Sequence, residues 1–147
     1  MIVGSLKEGD KGEQRVAMTP DSAVQIQKLG HECIIQSGAG IHAGFSDDAY
    51  AAAGVEVVAS KDALFKQADV VVKVRPPSEA EVKKLRATQT LISFFYPAQN
   101  TELLENCVAS QANVIAMDMV PRISRAQKMD ALSSMENIAG YRAVIEA

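Results

Sequence analysis

The sequence shows no excess of basic charge: 15 lysines and arginines stand against 18 acidic residues, for a formal net charge of -3. A nucleic-acid binder would normally carry a basic surplus, so that class of partner is not expected. Cysteine is scarce. Cys33 lies in the apolar run HECII and Cys107 at the end of a helical pattern, and both read as free buried thiols. With only His31 and His42 to join them, they form no zinc-ligand spacing, and no metal site is expected. No apolar run approaches the length of a membrane span, and Met1-Ile2-Val3 enters a strand pattern at once, with no signal-peptide layout. A soluble, intracellular fragment is the expectation. A dinucleotide fingerprint is also missing. Gly38-Ala39-Gly40 is followed by Ile41, His42, Ala43 and Gly44, so the third glycine is misplaced and the stretch reads as a turn.

The 147 residues are 48% apolar, enough for one domain with a real core. Strand patterns run over Ile2–Leu6, His31–Gln36, Val55–Val58, Ala68–Val74, Thr90–Phe95 and Asn113–Asp118. Helical patterns lie between them, each with a start signal. Thr19 caps a helix that opens on Pro20, Ser46 or Asp47 begins an Ala-rich helix, and Ser60 caps the next. Ser78 and Glu81 form a capping box, and Asn100 or Thr101 starts the fifth helix. The Lys83, Lys84 and Arg86 group reads as a solvated helix face. Strand–helix alternation with short connectors predicts an α/β, Rossmann-like fold, a mostly parallel sheet with helices on both faces. The run ADVVVKV fits a strand covered on both sides. A last helix, from about Lys128 to Glu146, has no closing cap, which favours a truncated first domain of a longer chain.

Chemistry concentrates in two places. Arg122, Ser124, Arg125, Gln127, Asp130, Ser133 and Ser134 crowd thirteen positions just past the last strand. Open α/β sheets bind ligands at the carboxyl ends of their strands. Gln127, Asp130 and Ser133 step by three, which keeps them on one stripe of a helix. Amide, carboxylate and hydroxyl groups together suit the carboxamide end of a nicotinamide or a similar polar heterocycle. They equally suit a capping network in which Asp130 or Ser124 caps the helix and Arg122 bonds to loop carbonyls. The second place is the same edge near Arg15 and Lys73, a cation pair able to hold a ligand carboxylate or amide oxygen, or to pair with Glu8, Glu13 or Asp118.

The segments GSLKEGDKGEQRVAMTP, SGAG, KVRPP, YPAQN and above all PRISRAQ…LSS…NIAGYRAV resemble the alpha-subunit family of proton-translocating NAD(P) transhydrogenases, within the superfamily that includes alanine dehydrogenase. The resemblance covers nearly the whole chain. It implies the outer, N-terminal domain of two Rossmann-like domains that clasp NAD(H), the second lying beyond Ala147. Arg122 and Gln127 would hold the dihydronicotinamide and its carboxamide, with Asp130 and Ser133 in support. No acid or base is needed, because hydride transfer rests on positioning. NADP(H) would sit on a partner domain, and the assembly would include a membrane subunit on the cytoplasmic side of a bacterial inner membrane. The isolated chain would be inactive and prone to form a homodimer. The alternative is an alanine dehydrogenase-like domain using Arg15 and Lys73 on pyruvate or alanine. There Tyr96 stands in place of the histidine acid–base, and its ordinary pKa near 10 suits that role poorly. A third reading is a non-catalytic, dimer-forming domain.

Overall fold

The computed structural model describes residues 1–147. Six strands pair in parallel in the order β3-β2-β1-β4-β5-β6. They are β1 (Ile2–Ser5), β2 (Glu32–Gln36), β3 (Glu56–Val58), β4 (Val70–Val72), β5 (Thr90–Ser93) and β6 (Asn113–Ala116). All six predicted strands are present. The ladders are shorter than the apolar runs suggest, β4 most of all, although single backbone bonds continue past its ends, from the Asp69 N–H to the Ile2 carbonyl at 2.8 Å and from the Lys73 N–H to the Ile92 carbonyl at 3.0 Å.

Six α-helices join them: α1 (Pro20–Lys28), α2 (Asp47–Ala52), α3 (Lys61–Gln67), α4 (Glu79–Val82), α5 (Thr101–Ser110) and α6 (Ala131–Glu146). Their starts follow the expected chemistry. Thr19 Oγ accepts the Ser22 N–H at 3.2 Å while Ser22 Oγ accepts the Thr19 N–H at 2.8 Å. Serine thus takes the reciprocal role often filled by glutamate. Ser46 and Ser60 cap α2 and α3 with their hydroxyls. Helix α4 closes at Val82, one turn short of the predicted Leu85.

Side-chain alternation divides the core. On one face Leu6, Ile34, Val71 and Leu91 pack with Leu64, Phe65 and Ala68, so α3 lies there. Helices α4 and α5 share that face through Val82, Cys107 and Phe95. Gly4 allows the close approach of α3: a Cβ there would lie 2.9 Å from Leu64 and 3.0 Å from Ala68. The opposite face packs Cys33 and Ile35 against Ala23 of α1 and Tyr50 of α2. Helices therefore cover both faces, as predicted. The β6 end of the α1/α2 face is open, with Ile115 48% exposed.

At the amino end of the strands, Gln89 and Arg86 close α3. The Gln89 amide donates to the Phe65 and Ala68 carbonyls at 2.8 and 2.7 Å, and Arg86 bonds to the Lys66 carbonyl. Lys84 bonds to Asp62. Lys83, Lys84 and Arg86 are exposed, as expected, but they lie past the end of α4 rather than on a helix face, and Lys84 and Arg86 also join α3 to the β5 entry. No helix is long and apolar enough to cross a membrane.

Strand β1 and strand β4 are sequence-distant neighbours at the centre of the sheet, with crossovers leaving in opposite directions. That is the topological switch point, and the crevice at its carboxyl edge is where such sheets place ligands.

Candidate functional site

The segment after β6 begins with a 3-10 turn, Met117–Met119, and continues through a second, Ser124–Met129, into α6. The predicted helix start at Lys128 is thus a tighter helix at that point, and α6 proper begins at Ala131. Asp130 caps it. Its Oδ1 accepts the Ser133 N–H at 3.0 Å and its Oδ2 accepts the Ser133 hydroxyl at 2.5 Å. These bonds hold the Asp130 carboxyl below the usual carboxylate range. A 3-10 helix has three residues per turn, so Ser124 and Gln127 eclipse each other. The expected single stripe of Gln127, Asp130 and Ser133 is instead broken at Asp130, which stands between the 3-10 turn and α6 as the cap of the latter.

Arg122, Ser124, Gln127, Asp130 and Ser133, with Ile123, line one open concavity of about 310 Å³. All four residues singled out for a nicotinamide come together there. Their availability differs. Asp130 is buried and occupied by its cap. Gln127 is exposed and its carboxamide has no partner within the chain. Arg122, 60% exposed in its side chain, makes a single surface pair with Glu136 at 3.1 Å. The capping alternative therefore holds for Asp130 and Ser133 and does not extend to Arg122 or Gln127.

The switch point is furnished differently. Lys73 Nζ, 3% exposed, lies 2.8 Å from Glu81 and 3.7 Å from Glu8. Glu81 also takes Lys61 at 2.5 Å and the Ser78 N–H at 2.9 Å. Burial opposes its charge, yet the bonds from Lys61 and Lys73 hold the carboxyl down at about 2. Glu8 goes the other way. Burial pushes it up and outweighs the Val74 N–H and the more distant Lys73. The two carboxylates share one ammonium, and the nearer one holds it. Beside them, Glu13 accepts two bonds from Arg15, at 2.8 and 2.7 Å, and one from Arg75 at 2.6 Å. The Arg15 hydrogen bonds lower the Glu13 carboxyl to about 2 despite its burial.

Of the residues considered for a ligand carboxylate, Lys73 thus pairs with Glu81 and Glu8, and Arg15 with Glu13. Arg15 also reaches across to Met135 Sδ of α6, 2.6 Å from its guanidinium. Tyr96 sits half-buried at the same edge, its ring stacked near Phe94 at 6.2 Å between centroids. A polar cavity of about 420 Å³ opens beside Lys73 and Glu81, bordered by Lys61, Ser78 and Asn100. The pairing weighed for Arg15 with Glu13, and for Lys73 with Glu8, is present, while the role of Glu81 was missed from sequence: its capping box already accounted for it, and nothing local advertises Lys61 as a partner twenty residues away.

Comparison with known proteins bears on the same segments. The family described as alanine dehydrogenase/PNT, N-terminal domain, matches residues 4–139. The NAD(P) transhydrogenase subunit alpha of Cereibacter sphaeroides is 71% identical over 147 residues, covering all of this chain and 28% of that protein. The solved transhydrogenase of Sinorhizobium meliloti superposes with a TM-score of 0.93 at 39% identity, over the whole chain and 44% of its own. A solved L-alanine dehydrogenase superposes at 0.78, with 34% identity over 82% of this chain and 33% of that one. The chain therefore spans less than half the length of each of these relatives.

Proposed function

The chain belongs to the alanine dehydrogenase/PNT N-terminal domain family, and from that premise we propose that it forms one wall of an NAD(H) cleft in a proton-translocating NAD(P) transhydrogenase. The observation that carries this reading is the open concavity in which Arg122 and Gln127 keep unspent hydrogen-bonding groups beside a capped helix start. A ligand site needs capacity that the protein has not already used on itself.

The fit to a nicotinamide rests on that donor and acceptor set. The Gln127 carboxamide both donates and accepts, which matches a second carboxamide. The Arg122 guanidinium donates to an amide oxygen or to a phosphate and stacks on a planar ring. Asp130 and Ser133 support these two by fixing the turn between the 3-10 segment and α6. When bound, the dinucleotide supplies the hydride. The residues of this chain bind, orient and shield the ring, and no side chain of the concavity is required to move a proton. Hydride acceptance by NADP+ falls to a partner domain, and proton movement to a membrane component on the cytoplasmic side of a bacterial inner membrane. The opposite wall of the cleft comes from a second nucleotide-binding domain. A homodimer of the assembled subunit belongs to the same reading, and the present chain alone is inactive.

The alanine dehydrogenase reading, in which Arg15 and Lys73 grip a substrate carboxylate, is weaker. Both cations already answer internal carboxylates, and Tyr96 stands where that reading needs a histidine.

The test uses the assembled enzyme. Gln127→Asn shortens the side chain by one methylene and withdraws its amide from the ring. We expect hydride transfer, followed by stopped flow, to slow by roughly tenfold or more, with a smaller loss of NADH affinity by calorimetry. Equal losses in both would reduce Gln127 to an anchor, and no loss in either would remove the concavity from the reaction.

A further inference from the structure

Beyond β5 the chain makes a turn that the nicotinamide wall does not use. Tyr96 there has φ 51°, in the left-handed region that side chains with a Cβ avoid. Gln111 is the one other non-glycine residue with positive φ, at 59°, and it is an ordinary left-handed cap at the end of α5. Tyr96 ends no helix. Its conformation is held from both sides instead. Asp118 Oδ1 accepts the Phe95 N–H at 2.5 Å and Oδ2 accepts the Tyr96 N–H at 2.9 Å. The Asn100 amide donates to the Phe95 carbonyl at 2.8 Å and the Tyr96 carbonyl at 3.1 Å. Two consecutive residues thus have both backbone donors and both carbonyl acceptors engaged by two side chains. Strained backbone persists where its surroundings over-determine it, and it gathers at functional sites.

The location of Asp118 gives the clamp its meaning. It sits in the 3-10 turn Met117–Met119, four residues before Arg122, and α6 packs on that turn. A second link runs through Arg15. Its guanidinium, engaged chiefly by Glu13, also touches Met135 of α6. The exit of β5 is thus tied to the exit of β6 by Asp118, and the loop after β1 to the start of α6 by Arg15, along the same carboxyl edge.

We propose that Asp118, together with Asn100, is a positioning pair: it locks the Tyr96 turn and so fixes the origin of the segment that carries Arg122 and Gln127. Neither residue touches the ligand. Each acts by keeping the wall of the concavity in register with the sheet edge. The inference rests on the reading that Arg122 and Gln127 meet the nicotinamide, while the clamp itself is testable without it.

Two experiments separate these. The first is a double-mutant cycle by thermal unfolding of the 147-residue chain, with Asp118→Asn and Tyr96→Gly. Glycine accepts the left-handed conformation freely. Asp118→Asn is expected to lower the midpoint by several degrees in the native background, and by less than half as much beside Tyr96→Gly. Equal falls in the two backgrounds overturn the clamp. Should Asp118→Asn fail to fold, Asn100→Ala carries the same cycle from the carbonyl side. The second uses the assembled enzyme at a temperature where all variants are folded. Asp118→Asn is expected to slow hydride transfer about tenfold while NADH affinity changes by less than about threefold. Asp118→Glu, which keeps both acceptor oxygens, should recover part of that loss. An unchanged rate overturns the positioning role. If Gln127→Asn also leaves the rate unchanged, the nicotinamide reading is what has failed, and the unfolding cycle still decides the clamp.

Discussion

Two regions at the same edge of the sheet carry similar residue types and treat them in opposite ways. At the switch point, Glu8, Glu13 and Glu81 meet Arg15, Lys61, Lys73 and Arg75 in a network where every buried charge has a partner in the chain. Past β6, Arg122 and Gln127 stand in an open concavity with little or nothing to bind. Burial explains the contrast. Lys73 emerges from the middle strands of a sheet covered on both faces, where an unpaired ammonium is prohibitive. Arg122 leaves from the edge strand and remains hydrated, so it needs no internal partner. The lesson is that cations near a ligand edge are not equivalent: those the fold must neutralise are spent before any ligand arrives.

The largest expected effect sharpens this contrast by removing one member from each side. Lys73→Met leaves Glu8 and Glu81 facing each other with one of their ammonium partners gone, and breaking such a buried pair costs about 3–5 kcal/mol. Arg122→Ala should alter stability by less than about 0.5 kcal/mol, since its one pair is exposed. Urea unfolding of the two variants measures both. If Arg122→Ala proves as damaging as Lys73→Met, the division between spent and unspent cations collapses.

Acid distinguishes the regions next. Glu13 and Glu81 have folded-state pKa values of about 2, below the 4.5 of an unperturbed glutamate. A depressed folded pKa contributes stability that is present above the unfolded value and lost as pH falls through the folded one. The window is therefore from about pH 4.5 down to about 2. Glu8 has the opposite sign: its folded pKa is raised, so its contribution is present at low pH and lost as pH rises through the folded value, which offsets part of the acid loss. The thermal midpoint should fall steeply below about pH 4.5. In Glu13→Gln that slope should flatten, although the variant starts lower at neutral pH. An identical slope in variant and parent would place the acid sensitivity elsewhere.

The smallest effect belongs to the open region. Glu136→Gln removes the one pair that Arg122 makes, and thermal unfolding should register a change within about 0.5 kcal/mol. A larger loss would mean that Arg122 is held as firmly as Lys73.

Much of this was legible in the residues. Caps at Thr19, Ser46, Ser60 and Ser78 and the apolar runs between them are local signals, and the helices and parallel strands follow from them. The convergence of Arg122, Gln127, Asp130 and Ser133 was legible too, because twelve residues of connected chain hold them all, whichever helix type they adopt. Less legible was the division of labour within that set. Asp130 is consumed by its cap and Gln127 is not, and residue type alone left both outcomes open.

Local sequence thus determined the elements, their order and the polar stretch after the last strand, since capping, periodicity and short-range turns depend on neighbours along the chain. Tertiary structure alone decided which charges are spent. Glu8 meets Lys73 across sixty-five residues of chain, Asp118 takes up the Tyr96 turn from the 3-10 turn after β6, and Arg15 reaches α6 from the opposite end of the sequence. Such pairings are set by strand order and burial, and burial is a property of the packed sheet that no single stretch of the chain possesses.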